Sequence, residues 1–214
     1  MRGPLSFDDK AAIGVGALII FIAMVLIAGV TASVMLQVMN SMQQQAMKTA
    51  QETIRDVSDG LKVTHVSGYS NGSKITQMAL YISTTAGSSS IDLANTQISL
   101  SDASKQVILS YTDTCFASSV STGLFSTINA SNLSATTFGV IVIRDVDSSC
   151  SSTTPSINRD DLVVLLVNTT KCFSGISTRT EIFGRVIPEF GMRGAIGFTT
   201  PSAFIDTIIE LESS

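Results

Sequence analysis

The sequence predicts an α+β protein: a long N-terminal hydrophobic α-helix followed by an antiparallel β-sandwich. Three observations carry that expectation. Residues 11–47, AAIGVGALIIFIAMVLIAGVTASVMLQVMNSMQQQAM, contain no charged side chain. The apolar positions that follow keep a helical step, at Met39, Met42, Ala46, Ala50, Ile54, Val57 and Leu61. Beyond Gly60 the composition changes: Ser and Thr become dense, and apolar residues come in short runs bounded by Ser, Gly and Asn.

The opening segment is too long for a secretory signal, whose apolar region is about 7–15 residues followed by a small-residue cleavage site. It exceeds the roughly 20 apolar residues that cross a bilayer. The helix is expected to run on past any membrane boundary. Gln43, Gln44, Lys48, Gln51, Glu52, Arg55 and Asp56 form its solvated face, and Asp59-Gly60 is a plausible left-handed end. Residues 12–59 would then make one rod roughly 70 Å long at ~1.5 Å per residue. Small residues, including Gly14, Gly16, Ala23 and Gly29, punctuate it and would let helix backbones approach closely. Glycine weakens an isolated helix by ~1 kcal/mol each, so packing partners rather than propensity are expected to hold it.

Strands are expected near 62–65, 75–83, 97–100, 106–111, 138–146, 162–169, 179–188, 195–199 and 206–211. Short strands at this density suggest an antiparallel sandwich. FGVIVIRDV and LVVLLVNTT are near-continuous apolar runs and the best candidates for core strands, joined as a long hairpin across the Ser/Thr-rich residues 147–160. The expected organisation is a segment 1–11, a helix 12–60 and a β-domain 61–214.

The side-chain inventory excludes much chemistry. Charged residues make up 14 % of the 214 and the net charge is −4, with no basic patch to hold nucleic acid. His65 is the only histidine and has no partner spacing for a triad or a multi-histidine metal site. No P-loop, GxSxG or CxxC occurs, so no catalytic residue and no cofactor are expected. Asp145, Asp147, Asp160 and Asp161 flank one hairpin end, but without a D-x-D-x-D-G loop they read as solvated turn acids rather than a Ca²⁺ site. Cys115, Cys150 and Cys172 cannot all pair. Cys150 and Cys172 fall at opposite ends of the expected hairpin, so Cys115 would pair with one of them, Cys172 preferred.

GVGALIIFIAMVLIAGVTASVMLQ, Gly14 to Gln37, closely resembles the N-terminal signature of archaeal flagellins (archaellins). RVIPEFGMRGAIGFTTPSAFIDTIIELESS, Arg185 to Ser214, resembles the family's closing strands. The resemblance implies a type IV pilin-like subunit whose outer domain is an antiparallel immunoglobulin-like β-sandwich, made with a short leader and cut by a prepilin peptidase, here between Ala11 and Ala12, with Lys10 as the basic residue before the cut. It implies that the helix is kept, waits in the membrane, and is then bundled in a helical filament, either with copies of itself alone or with other archaellins as well. Gly14, Gly16, Leu18, Phe21, Ala23, Leu26 and Gly29 would be its core-packing positions. An archaellum ATPase and a membrane platform protein would build and rotate that extracellular, cell-surface filament. Bacterial pilins carry a Glu near the start of the mature helix, whereas nothing acidic lies between Lys10 and Lys48. An adhesive archaeal pilin and a membrane-anchored extracellular β-domain are the alternative expectations. Export and family together favour glycosylation at one or more of the sequons Asn71, Asn129, Asn132 and Asn168, with Asn129 and Asn132 in an expected surface loop.

Overall fold

The computed structural model describes residues 7–213; residues 1–6 of the expected leader lie outside it. Helix α1 spans Phe7–Ser58. The chain divides into two compact units between Gln51 and Glu52; the described residues of the first belong to α1, and the second holds the last seven residues of α1 and the strands.

Eleven strands follow α1: β1 Leu61–Ser70, β2 Ile75–Thr84, β3 Ile91–Asp92, β4 Gln97–Ser101, β5 Gln106–Ala117, β6 Thr137–Arg144, β7 Ser156–Ile157, β8 Leu162–Val167, β9 Glu181–Ile187, β10 Gly194–Thr199 and β11 Ile208–Ser213. Two short helices interrupt them, α2 Leu124–Thr127 and α3 Thr169–Phe173. Nine strands form one hydrogen-bonded sheet in the order β10-β9-β4-β5-β6-β8-β2-β1-β11, and β3 pairs only with β7. The expected hairpin is present, Gly139 opposite Leu166 and Val142 opposite Val163. Two features depart from a sandwich of two separate antiparallel sheets. The sheet is continuous, and β5 runs parallel to β6.

Burial explains the near-continuous apolar runs. Val163, Leu165 and Val167 of β8 face the main core, which also takes Val66, Leu80, Ile98, Leu109, Val140 and Ile196 from strands across the sheet. Val164 and Leu166 face the other way, with Ala79 and Ile141, under a roof made by Phe125, Ile128 and Leu133. A strand covered on both faces has no reason to alternate. At the sheet margin β10 does alternate, buried and exposed in turn. The sheet coils until its outer strands meet: the Gly197 N–H donates to Glu212 Oε2 at 3.2 Å, linking β10 to β11.

The helix end is fastened to the β-domain by a short run of residues. Ser58 Oγ donates to the Gly87 carbonyl at 3.0 Å, and the Asp59 carboxylate accepts from Ser89 N at 2.8 Å and Ser89 Oγ at 2.7 Å. Asp59 O accepts from Met192 N at 2.8 Å, Leu61 N donates to Met192 O at 3.0 Å, and Gly60 O accepts from Thr85 N at 2.9 Å. The expected left-handed cap at Gly60 is not used, since Gly60 is absent from the positive-φ residues. Its glycine serves close approach instead: a Cβ there would lie 2.9 Å from Thr85 Oγ1 and 3.0 Å from Met192 Cβ.

Candidate assembly surfaces

Helix α1 carries the most unusual surface. Leu18, Phe21 and Leu26 are 59 %, 66 % and 65 % exposed, and the other large apolar residues from Ile13 to Met47 are similarly bare. Such a stripe is far beyond what a soluble domain exposes and calls for cover by lipid or by other helices. The segment is long and apolar enough to cross a membrane. A Cβ built at Gly14, Gly16 or Gly29 meets nothing within 4 Å, so a neighbouring backbone has room to close on these positions, and Ala23 is exposed between them. Two of the three hydroxyls within this surface are already satisfied: Thr31 Oγ1 donates to Ile27 O at 2.8 Å and Ser41 Oγ to Val38 O at 2.9 Å. They therefore add no unpaired donor to a dry environment.

The four sequons fall in different settings. Asn71 is exposed in the β1–β2 turn, its Oδ1 accepting from Ser73 N at 3.0 Å and Lys74 N at 2.9 Å. Asn129 and Asn132 are exposed on the loop after α2, where Asn129 Oδ1 accepts from Ser131 N. Asn168 does not suit a glycan. It is buried, its Nδ2 donates to Ala130 O at 2.7 Å, and its Oδ1 accepts from Lys171 N at 3.2 Å to cap α3. The nitrogen that would bear the sugar is the one holding the loop.

The expected Cys115–Cys172 bond is not formed; all three cysteines are free and buried. Cys172 belongs to the main core and Cys115 to the cluster on the opposite face of the sheet. The pairing of β5 with β6 shifts register between Tyr111 and Phe116, and that shift turns Cys115 away from the side that Val107 and Leu109 occupy. Burial pushes the Cys150 thiol up to about 12, aided by Asp145 and Asp161, and the Cys172 thiol up to about 11.

Asp145, Asp147 and Asp161 lie close enough to share one cation. Asp160 is turned outward and is not among them. The carboxylates are engaged by N–H donors: Asp145 by Ser149 and Cys150, Asp147 by Ser149 and Asn158, Asp161 by Val146 and Asn158. Hydrogen bonds from Ser149 and Asn158 hold the Asp147 carboxyl below the usual carboxylate range. The arrangement fixes the 145–161 loop. The sequence did not mark Ser88 or Ser89, nor place Gly191 of the closing segment against Asp59, because these contacts span long stretches of chain that carry no local motif.

A family model described as archaeal-type flagellin matches residues 11–198. Flagellin B2 of Methanocaldococcus jannaschii is 41 % identical over 207 residues, 95 % of each chain. Flagellin B4 of Pyrococcus abyssi is 38 % identical over 95 % of this chain and 99 % of its own length. The crystal structure of archaeal flagellin FlaB1 from Methanocaldococcus jannaschii aligns with a TM-score of 0.66 at 33 % identity, over 72 % of this chain and 98 % of that one. The archaeal flagellum of Methanospirillum hungatei aligns with a TM-score of 0.65 at 16 % identity, over 92 % of this chain and 98 % of that one, a likeness of fold.

Proposed function

This chain belongs to the archaeal-type flagellin family, and on that footing we propose how it is matured, stored and assembled. It is a structural subunit of a cell-surface archaellum filament, not an enzyme. A prepilin peptidase removes a leader by cutting between Ala11 and Ala12, and the apolar helix stays. The helix waits in the membrane, where its backbone groups satisfy one another. An assembly ATPase and a membrane platform then move it into a bundle of like helices, and the filament turns as a motility organelle. Exposed Asn71, Asn129 and Asn132 are its glycan acceptors.

The observation that carries this reading is the exposed apolar surface of α1, charge-free over residues 11–47. Passing from lipid into a helix bundle exchanges one apolar surrounding for another, so close packing through Gly14, Gly16, Ala23 and Gly29 must supply the preference. Relative to water the balance is different. Each fully buried side chain such as Leu18 or Phe21 contributes ~1.5–3 kcal/mol. Extraction therefore needs work, and an assembled filament in water does not come apart by itself. That the family match continues through the β-domain favours an archaellin over an unrelated membrane-anchored module. Filaments sheared from the source cells, imaged and analysed by mass spectrometry, should contain this chain beginning at Ala12. Mature single molecules in solution that lack residues 12–40 would overturn the reading.

A further inference from the structure

The β-domain has two exposed features that its own fold leaves without a partner. The first is a shallow depression on the outer face of β10, β9, β4 and β5. Register places Ala195, Arg185, Ser99 and Ile108 in one cross-strand row. The next row has Gly197, Phe183 and Ser101. Small residues flank two large apolar ones, since Ile108 is 55 % and Phe183 51 % exposed. Among the described residues no carboxylate lies within ion-pair distance of the exposed Arg185 guanidinium.

The second feature is the loop after β10. Phe204 turns inward at 9 % exposure, and Ile205 stands out at 92 % with Asp206 exposed beside it. Among the described residues Asp206 also has no ion-pair partner. The loop is pinned at its end, where Ser70 N donates to Thr207 O at 2.8 Å, so the protruding pair has a firm base.

These two features lie toward opposite ends of the same strand. β10 begins beside the helix joint, through the Met192–Asp59 hydrogen bond, and its first residues carry the Ala195–Arg185 row. Its far end, Thr199, lies four residues beyond Ala195, about 13 Å along the strand, and leads into the Ile205 loop. We propose that Ile205 and Asp206 of one copy dock on the Ile108–Phe183–Arg185 face of the next copy along the filament, Asp206 meeting Arg185 and Ile205 seating between Ile108 and Phe183. The occupant is a second copy because the two patches are complementary in charge and shape but differ from each other. Unlike patches on one chain make a heterologous contact, which propagates head to tail instead of closing into a dimer. A helical filament needs contacts of that kind, so this inference rests on the filament reading above.

A charge-swap cycle on the full-length chain in its own filaments tests it. Arg185→Asp and Asp206→Arg alone should each lower the temperature at which filaments come apart, by several degrees, because one interface repeats in every subunit. The double variant should recover most of the loss. Both sites are exposed, so the subunit fold survives, and protease resistance of each variant checks this. A second measurement uses Ile108→Cys with Ile205→Cys. Mild oxidation of these filaments should give a ladder of linked subunits, and either cysteine alone should give none, since the native cysteines are buried. Losses that merely add in the double variant, or doubly substituted filaments that give no ladder, overturn the proposal. Absence of the unsubstituted chain from any filament would instead overturn the filament reading itself.

Discussion

Gly191 gives the sharpest prediction about the joint between helix and β-domain. Its φ is +91°, and a Cβ added there would sit 2.2 Å from the Asp59 carbonyl oxygen and 2.5 Å from its carbon. Gly191→Ala therefore has two separable costs. Left-handed backbone strain for an L-residue is about 1–2 kcal/mol. Relief of the clash must move backbone by about 1 Å and loosen the Met192 N to Asp59 O bond, adding about 2–3 kcal/mol by analogy with overpacked cores and lost hydrogen bonds. Gly87 supplies the control. Its φ is +92°, almost the same, and its Cβ would meet nothing within 4 Å. Gly87→Ala should show the strain alone. At about 2–4 °C per kcal/mol for a domain of this size, the expected fall in melting temperature is about 10 °C for Gly191→Ala and about 4 °C for Gly87→Ala. The assay is thermal unfolding of the full-length chain in detergent, followed by circular dichroism of the sheet. Equal melting temperatures for the two variants would refute the claim that this glycine is required by the approach of Asp59.

Other perturbations follow from the same structure. Ala23→Asp puts a charge in the middle of the apolar surface, and electron microscopy should find no filaments, whereas Ala23→Ser should still assemble; normal filaments from the aspartate variant would mean that Ala23 is not packed in a dry core. Cys150, with its thiol pushed up to about 12, and Cys172, up to about 11, hold almost no thiolate at pH 8. Alkylation followed by mass spectrometry should label no cysteine of the folded chain and all three in urea. Asn168→Ala removes the α3 cap and strands Ala130 O, which should destabilise the β-domain by about 1–3 kcal/mol; glycopeptide mapping should find no sugar on native Asn168. The lowered Asp147 carboxyl stabilises its loop above the unfolded pKa of about 4, and that contribution is lost as pH falls through the lower folded value. Pepsin should accordingly cut within residues 145–161 more readily at pH 2 than at pH 4.

What could be read from the sequence followed the strength of local patterning. The charge-free run 11–47 and the helical step after it mark the long helix, and Ile75–Thr84 or Leu162–Val167 announce themselves by dense apolar residues. β5 was harder to read. Thr112, Asp113 and Thr114 look like the end of a strand, yet the chain continues extended to Ala117, held by its parallel neighbour β6. That parallel pair leaves no mark in the sequence, because the crossover holds only a four-residue helix and a short turn. The cysteine expectation failed for the same reason: one register shift moved Cys115 through the sheet, and no spacing rule records such a shift. The sequon at Asn168 was legible as a motif, but its burial depended on contact with Ala130, distant in sequence. The acidic group near residue 145 was legible as part of a turn, but the expectation of solvated acids does not hold for Asp161, which is 1 % exposed and accepts from Val146 N and Asn158 N.

The meeting of β10 with β11 has a consequence on the scale of the whole appendage. An open strand margin is a template for sticking to another molecule. In a polymer that repeats one subunit many times, even a weak tendency of that sort would multiply along the shaft and glue neighbouring shafts into cables. Coiling the sheet until its two margins meet, with Glu212 reaching the backbone of Gly197, removes most of that tendency.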